Sequence, residues 1–262
     1  MRSTLIAALS TLVIGSILVI VVVGAPGFNR VRESFFNLRY ASSSLPHVMT
    51  GLWLNLRVMF IAEIFVLIFG LLIALARTSR SPILYPVRLL ATAYTDFFRG
   101  LPLLLVLFLV GFGIPGLQIS WIPNSAVILG TVSLVLTYSA YVAEVIRAGI
   151  EAVHPAQRMA GRALGLTQLQ TQQHIILPQA LRKVTPPLLN DLVSLQKDSG
   201  LISVLGAIDA IRAAGIETAQ SFNFTPYLVA GALFVLLTIP LTRFTDWLTR
   251  KQDSARVQQG EW

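Results

Sequence analysis

The run Arg99-GLPLLLVLFLVGFGIPGLQISWIPNSAVILGTVSLVLTYSAYVA-Glu144 carries no charged side chain between its two ends. A helix needs about 20 residues to cross a hydrocarbon layer of about 30 Å. The run is therefore long enough for two crossings, and Pro115, Gly116 and Pro123 break it where a turn between them belongs. A soluble helix would need a polar face. In lipid an all-apolar helix is expected, because its backbone groups are satisfied internally.

Outward from this stretch, two more uncharged runs hold one span each, between Arg2 and Arg30 and between Glu217 and Arg243. Two further spans are interrupted by charge, one by Glu63 and one by Asp191, Lys197 and Asp198. The expected fold is an all-α membrane protein with about six transmembrane helices, near 4–24, 51–76, 99–115, 123–144, 187–206 and 226–247. Residues 81–98 extend the third span as a helix lying on its cytoplasmic side. Residues 163–181 are uncharged too, but Gln168, Gln170, Gln172, Gln173, His174 and Gln179 make them too polar for lipid, so they belong to a loop. The organisation read from this is an N-terminal membrane anchor and outer loop over 1–44, a five-helix core over 45–250 with a cytoplasmic segment at 145–183, and a short polar, frayed tail at 251–262.

Composition agrees. Of 262 residues, 55% are apolar and 12% charged, and the mean hydropathy is +0.72. A soluble domain carries roughly 25% charge, and disorder needs few apolar residues and many charges. The absence of cysteine excludes disulfides, thiolate metal sites and thiol nucleophiles. The net charge of +8 reflects Arg and Lys gathered in cytoplasmic loops rather than a nucleic-acid surface. With both termini inside, Arg77, Arg80, Arg88, Arg99, Arg147 and the later loop and tail basic residues are cytoplasmic, against Arg30, Arg32, Arg39 and Arg212 outside. The stretch Leu5–Val23 is longer than a signal-peptide core and no A-x-A site follows, so it reads as a retained anchor.

The segment 145–183 has orderly local signals. Pro155 suits a helix start, Gly165 suits a left-handed C-cap, and Thr167-Gln168-Leu169-Gln170 reads as a capping box. The second helix is expected to stop before Pro178. Ala160, Gly161 and Ala163 give the first helix a small-residue face open to close approach.

At these residues the chain resembles the membrane subunits of binding-protein-dependent ABC importers, in the branch for polar amino acids. That family carries a cytoplasmic signature of Glu-Ala-Ala, three residues, Gly, nine residues, then Ile-x-Leu-Pro. Here Met159-Ala160-Gly161 is followed by Gly165 and by Ile175-Ile176-Leu177-Pro178 at those spacings. Phe98-Arg99-Gly100-Leu101-Pro102, Tyr141-Val142-Ala143-Glu144, Leu177-Pro178-Gln179-Ala180-Leu181-Arg182 and Lys197-Asp198-Ser199 also match. Met159 and Gly161 depart from the family's Glu and Ala, and Leu101 from its usual Thr.

The resemblance implies a permease of the bacterial plasma (inner) membrane that translocates a polar or charged amino acid delivered by an extracytoplasmic binding protein. It implies a cytoplasmic ABC ATPase contacting Gln157, Met159, Ala160, Gly161, Ala163, Leu164 and Gly165, and a second permease subunit, here a different chain because Met159 replaces the docking acid. ATP and Mg would sit on the partner; this chain has no G-x-x-x-x-G-K-[ST] phosphate loop, its only lysines being Lys183, Lys197 and Lys251, and is expected to bind no cofactor and to catalyse nothing itself.

Intramembrane charges usually face a cavity or pair with one another. Lys197 and Asp198 are candidates to meet the carboxylate and ammonium of a zwitterion, or to form a structural salt bridge, with Ser199, Asn190, Ser194 and Arg99 along the same pathway. Ser199-Gly200 is a plausible break in that helix. Asp96 and Arg99 are spaced to pair, Arg57 is a candidate partner for Glu63, Glu144 and Arg147 anchor the end of the fourth span, and Gly206, Ala210 and Ala214 form a small-residue ladder. His47, His154 and His174 have no metal-ligand spacing. The rival readings are an ion-coupled secondary transporter, for which inverted repeats are expected, a membrane-embedded enzyme, and a permease for another small solute such as an opine or short peptide.

Overall fold

The computed structural model describes residues 2–79 and 81–258; Arg80 and residues 259–262, at the end of the polar tail, lie outside the described residues. Every regular element among them is helical. The helix at the expected anchor is α1, Arg2–Val23, uncharged after its first residue and exposed from Leu9 to Val23. A short amphipathic helix follows, α2, Phe28–Phe35. It is fastened to the far end of the chain. The rings of Phe35 and Phe224 stack with centroids 5.1 Å apart, Phe224 N–H donates to Ser34 O at 2.7 Å, and Asn223 Nδ2 donates to Glu33 O at 2.9 Å.

The long helix α3 runs Leu38–Thr78. It begins well before the expected residue 51, because Asn37 caps it by accepting from Arg39 N–H at 3.0 Å and Pro46 is accommodated within it. The third span is a broken pair. Helix α4, Tyr85–Gly100, and α5, Leu103–Gly116, are bent by 108° at Leu101-Pro102. Helix α6, Ala126–Glu151, is the fourth span. After α7, Pro155–Ala163, and α8, Gln168–Thr171, the chain passes through a π-helical turn, Gln172–Ile176, into α9, Leu177–Asp198.

The expected stop before Pro178 is therefore overturned. In an α-helix Pro178 would lose a backbone bond and clash with the carbonyl four residues back. The widened turn, in which Leu177 N–H bonds Gln172 O, lets the helix continue past it. As expected, regular α-helix ends at Ser199: a 3-10 turn, Ser199–Leu205, leads to α10, Ala210–Ser221, at 49° to the preceding helix. Helix α11, Thr225–Gln258, is the last span, and its backbone stays helical into the tail expected to fray.

Three of these helices are long and apolar enough to cross a membrane, and five when each bent pair counts as one span; α1 contributes the shorter apolar stretch Leu9–Val23. The main core joins Val58, Ala62 and Val66 of α3 to Leu134, Tyr138 and Val142 of α6, Leu107 of α5 and Leu195 of α9. Phe60, Ile64, Ile68 and Leu72 on the other side of α3 are exposed, as a lipid-facing surface requires. A second core places Val48 and Leu52 against Ala210, Ala214 and Ala230. Gly206 does not extend that small-residue ladder; it caps the 3-10 turn in the left-handed region at φ 93°.

Asn55 is the polar centre of this packing, 1% exposed on α3. Its Nδ2 donates to Ser199 O at 2.9 Å and to Asp209 Oδ2 at 3.1 Å, and its Oδ1 accepts from Ala210 N–H at 3.1 Å. Asp209, fully buried, caps α10 by accepting from Arg212 N–H at 2.8 Å. Gly51, one turn before Asn55, allows the approach, since a Cβ there would collide with the backbone of Asp209 and Ala210. Asn55→Leu should leave several buried polar groups unpaired at once. We expect a loss of stability of about 2 kcal/mol or more, seen as a lowered thermal midpoint of the detergent-purified protein; an unchanged midpoint would show that the network is dispensable.

Candidate functional site

The segment 145–183 is built as a capped projection. Pro155 opens α7, and His154 Nδ1 accepts from Ala156 N–H at 3.1 Å. The helix closes in a Schellman arrangement: Gly165 N–H bonds Arg162 O at 3.0 Å, Leu166 N–H bonds Gly161 O at 3.1 Å, and Gly165 sits at φ 79°. The capping box is present in both directions. Gln170 N–H donates to Thr167 Oγ1 at 3.2 Å, and Thr167 N–H donates to Gln170 Oε1 at 2.9 Å.

Of the expected contact residues, Gln157, Met159, Ala160, Ala163, Leu164 and Gly165 are exposed. Met159 and Leu164 show 64% and 79% of their surface, an apolar pair on a segment outside the spans. Gly161 alone turns inward. A Cβ there would lie 2.8 Å from Thr171 Cγ2 and 2.9 Å from Ile175 Cδ1, so the missing side chain serves packing of α7 on its own chain. A small core of Ile150, Val153, Ile176 and Ala180 ties this unit to α6 and α9. Lys183 Nζ reaches Ala152 O at 2.6 Å.

Within the membrane part, a cleft of about 290 Å³ is lined by Leu101, Pro102, Thr137, Tyr138, Tyr141, Asp191, Ser194 and Asp198. The bend at Leu101-Pro102 supplies one wall, α6 a second and α9 the third. Asp191, Ser194 and Asp198 are spaced i, i+3, i+7 and so share one helix face. Tyr138 donates its hydroxyl to Asp198 Oδ2 at 2.7 Å. Two polar atoms have no partner, Thr137 Oγ1, on a residue 2% exposed, and Asp191 Oδ2. Buried polar groups are normally paired, and these two atoms are exceptions.

The sequence-derived pathway residues divide. Ser194 and Asp198 line the cleft. Lys197 and Asn190 are exposed and absent from its lining. Ser199 is buried behind it, donating to Gln196 O at 2.7 Å. Arg99 lies beside it, its guanidinium 5.9 Å from the centroid of Tyr141. The sequence reading missed Thr137, Tyr138 and Tyr141 as lining residues. It noted Asp191 only as a charge in a span, although the i, i+3, i+7 spacing with Ser194 and Asp198 was available.

Glu144 anchors more than its own helix. Arg77 Nη1 of α3 reaches Glu144 Oε2 at 2.7 Å, Arg147 Nη2 reaches Oε1 at 2.6 Å, and Arg99 Nη1 of α4 stands 3.7 Å from Oε2. Arg99 therefore pairs with Glu144, and no salt bridge joins it to Asp96, because the neighbouring α6 offers the carboxylate. Nor does Arg57 pair with Glu63; its guanidinium lies 5.3 Å from the centroid of Trp53.

A family model for the binding-protein-dependent transport system inner membrane component matches residues 67–254. The arginine transport system permease protein of Bacillus subtilis is 33% identical over 226 residues, 83% of this chain and 99% of the relative. The crystal structure of an amino acid ABC transporter with histidines has a chain 34% identical, covering 79% of this chain and 94% of its own, with a TM-score of 0.72. An inward-facing methionine ABC transporter shares the fold at 19% identity and a TM-score of 0.64, over 79% of this chain and 96% of its own. The broken third span, the capped projection of α7 and the polar cleft walled by the bend, α6 and α9 thus sit in a multi-pass membrane protein that belongs to the binding-protein-dependent transport system inner membrane components, the permeases of ABC importers.

Proposed function

We propose that the chain is one of two permease subunits in an ATP-driven importer for a polar or charged amino acid, receiving its substrate from an extracytoplasmic binding protein. The observation that carries the substrate class is the cleft, with two carboxylates, four hydroxyls and two unpartnered polar oxygens on an otherwise apolar span. Asp191 and Asp198 suit an ammonium or a basic side chain; one relative is named for arginine transport and a structural neighbour as an amino acid transporter with histidines, while other relatives are named for glutamine. Arg99, beside Tyr141, is placed for the carboxylate end when its hold on Glu144 loosens. The original pairing of Lys197 with the carboxylate has less support, since that side chain faces away from the cleft lining.

The projection 155–165 docks on the cytoplasmic ATPase, which holds the ATP and Mg, and both termini lie on that side. Exposed Met159 and Leu164 make this contact apolar where the family's Glu would make it polar. A second, different permease supplies the acid that Met159 lacks. A purified complex holding only this permease, yet fully coupled, would show that the second chain is not required.

Gly165→Val should abolish uptake while the protein remains inserted, because a β-branched residue resists φ 79° and the Schellman turn would open. Normal uptake by a stably inserted variant would remove the docking proposal. Asp198→Asn should leave assembly and basal ATP hydrolysis intact. It should weaken substrate-stimulated hydrolysis by roughly tenfold, the scale of one charge-assisted hydrogen bond. Failure to assemble would make Asp198 a structural partner of Tyr138 instead, and unchanged stimulation would take the substrate out of this cleft.

A further inference from the structure

A second, larger groove lies between α3 and α6. It has a volume of about 820 Å³ and runs between Ile61, Phe65 and Phe69 of α3 and Ile128 and Val132 of α6, with Tyr94 of α4 among its lining. The Tyr94 hydroxyl is occupied, donating to Leu136 O at 2.7 Å. One charged group lines the groove, Arg57, which is exposed and lies over the equally exposed Trp53.

The position of Arg57 along α3 sets its depth. Arg77, at the other end of the span, is bound into the Glu144 cluster. Arg57 and Arg77 are 20 positions apart on one continuous helix, roughly 30 Å at 1.5 Å per residue and so about one hydrocarbon thickness. Arg57 therefore stands at the headgroup level of the leaflet remote from the 145–183 segment, beside a Trp of the kind that marks that level. From there the groove descends into the bilayer as far as Ile73, about 24 Å along the helix.

We infer that this groove holds an anionic phospholipid, its phosphate on Arg57 and an acyl chain lying between α3 and α6. Two other occupants are at hand, α1 and a helix of the second permease, and both fit less well. Helix α1 is apolar and unpartnered, but it carries no acidic residue to meet Arg57. Bulk apolar contact gives no reason for a helix to leave lipid for this slot, while an exposed guanidinium at the membrane edge gains a charge-assisted, two-pronged hydrogen bond from a phosphate.

The inference rests on the membrane-spanning fold and not on the transport reading. Its test uses the assembled complex in detergent, titrated with phosphatidylglycerol or phosphatidylcholine and read by native mass spectrometry. We expect phosphatidylglycerol to be retained about tenfold better, Arg57→Gln to erase that preference, and Arg57→Lys to keep part of it. Val132→Trp, which fills the groove without touching the charge, should reduce retention of both lipids. Equal preference in the parent and the Arg57→Gln complex would overturn the inference, as would full retention by Val132→Trp. A photo-crosslinker at position 132 that captures α1 or the second permease in place of lipid would overturn it too.

Discussion

One side-chain amide organises the membrane part of this protein. Where every neighbour is apolar and water is absent, a peptide group released from a helix must find a partner or cost several kcal/mol. The chain releases such groups at Ser199 and Ala210, and Asn55 takes up both while also bonding the Asp209 carboxylate. The 3-10 turn after Asp198 can exist because Ser199 O is received there, and α10 can start because its first N–H is received by the same residue. The direction in which α9 ends follows from this, and with it the place of Asp198 beside Tyr138. The cleft is thus held from behind by a network that never touches it.

At the other end of the spans the organising group is Glu144, which draws guanidinium groups from α3, α4 and α6 to one carboxylate. Beyond it, α6 continues into the small core of Ile150 and Val153, against which the π-helical turn and the start of α9 pack. Gly161 lets α7 lie on Thr171 and Ile175 within the same unit. The exposed face of Met159 and Leu164 is therefore joined to the cleft-bearing helix by contiguous packing, without a flexible linker between them.

The sequence made much of this legible, for identifiable reasons. Charge-free runs mark spans because a charge in lipid is costly, and the Gly165 cap and Thr167–Gln170 box are local motifs whose geometry follows from a few residues. What the sequence hid is relational. That Arg99 would prefer Glu144 to the nearby Asp96, that Lys197 would turn away from the cleft, and that Thr137 would face it depend on where distant helices pass. Pro178 misled for a different reason: the rule that proline ends a helix assumes α-helical winding on both sides, and Gln172–Ile176, just ahead of Leu177 and Pro178, are wound more widely. Asn55 could have been singled out as a lone amide in an apolar run, but not its partners, since Ser199 and Asp209 are more than a hundred positions away.

That wider winding also fixes the phase of the segment 155–176. A π-helical turn amounts to one residue inserted into an α-helix, so α8 and α9 are out of step by about 100° compared with a continuous helix. In this register Thr171 packs on Gly161. The length of the chain between Gly165 and Pro178 is therefore a structural quantity in itself. Shortening it by one residue would let the helix close into regular winding, and Thr171 would swing away from the Gly161 surface it now packs on. Polar substitutions on the exposed side of the same stretch would leave that register alone. The segment is tolerant of changes in chemistry and intolerant of changes in count.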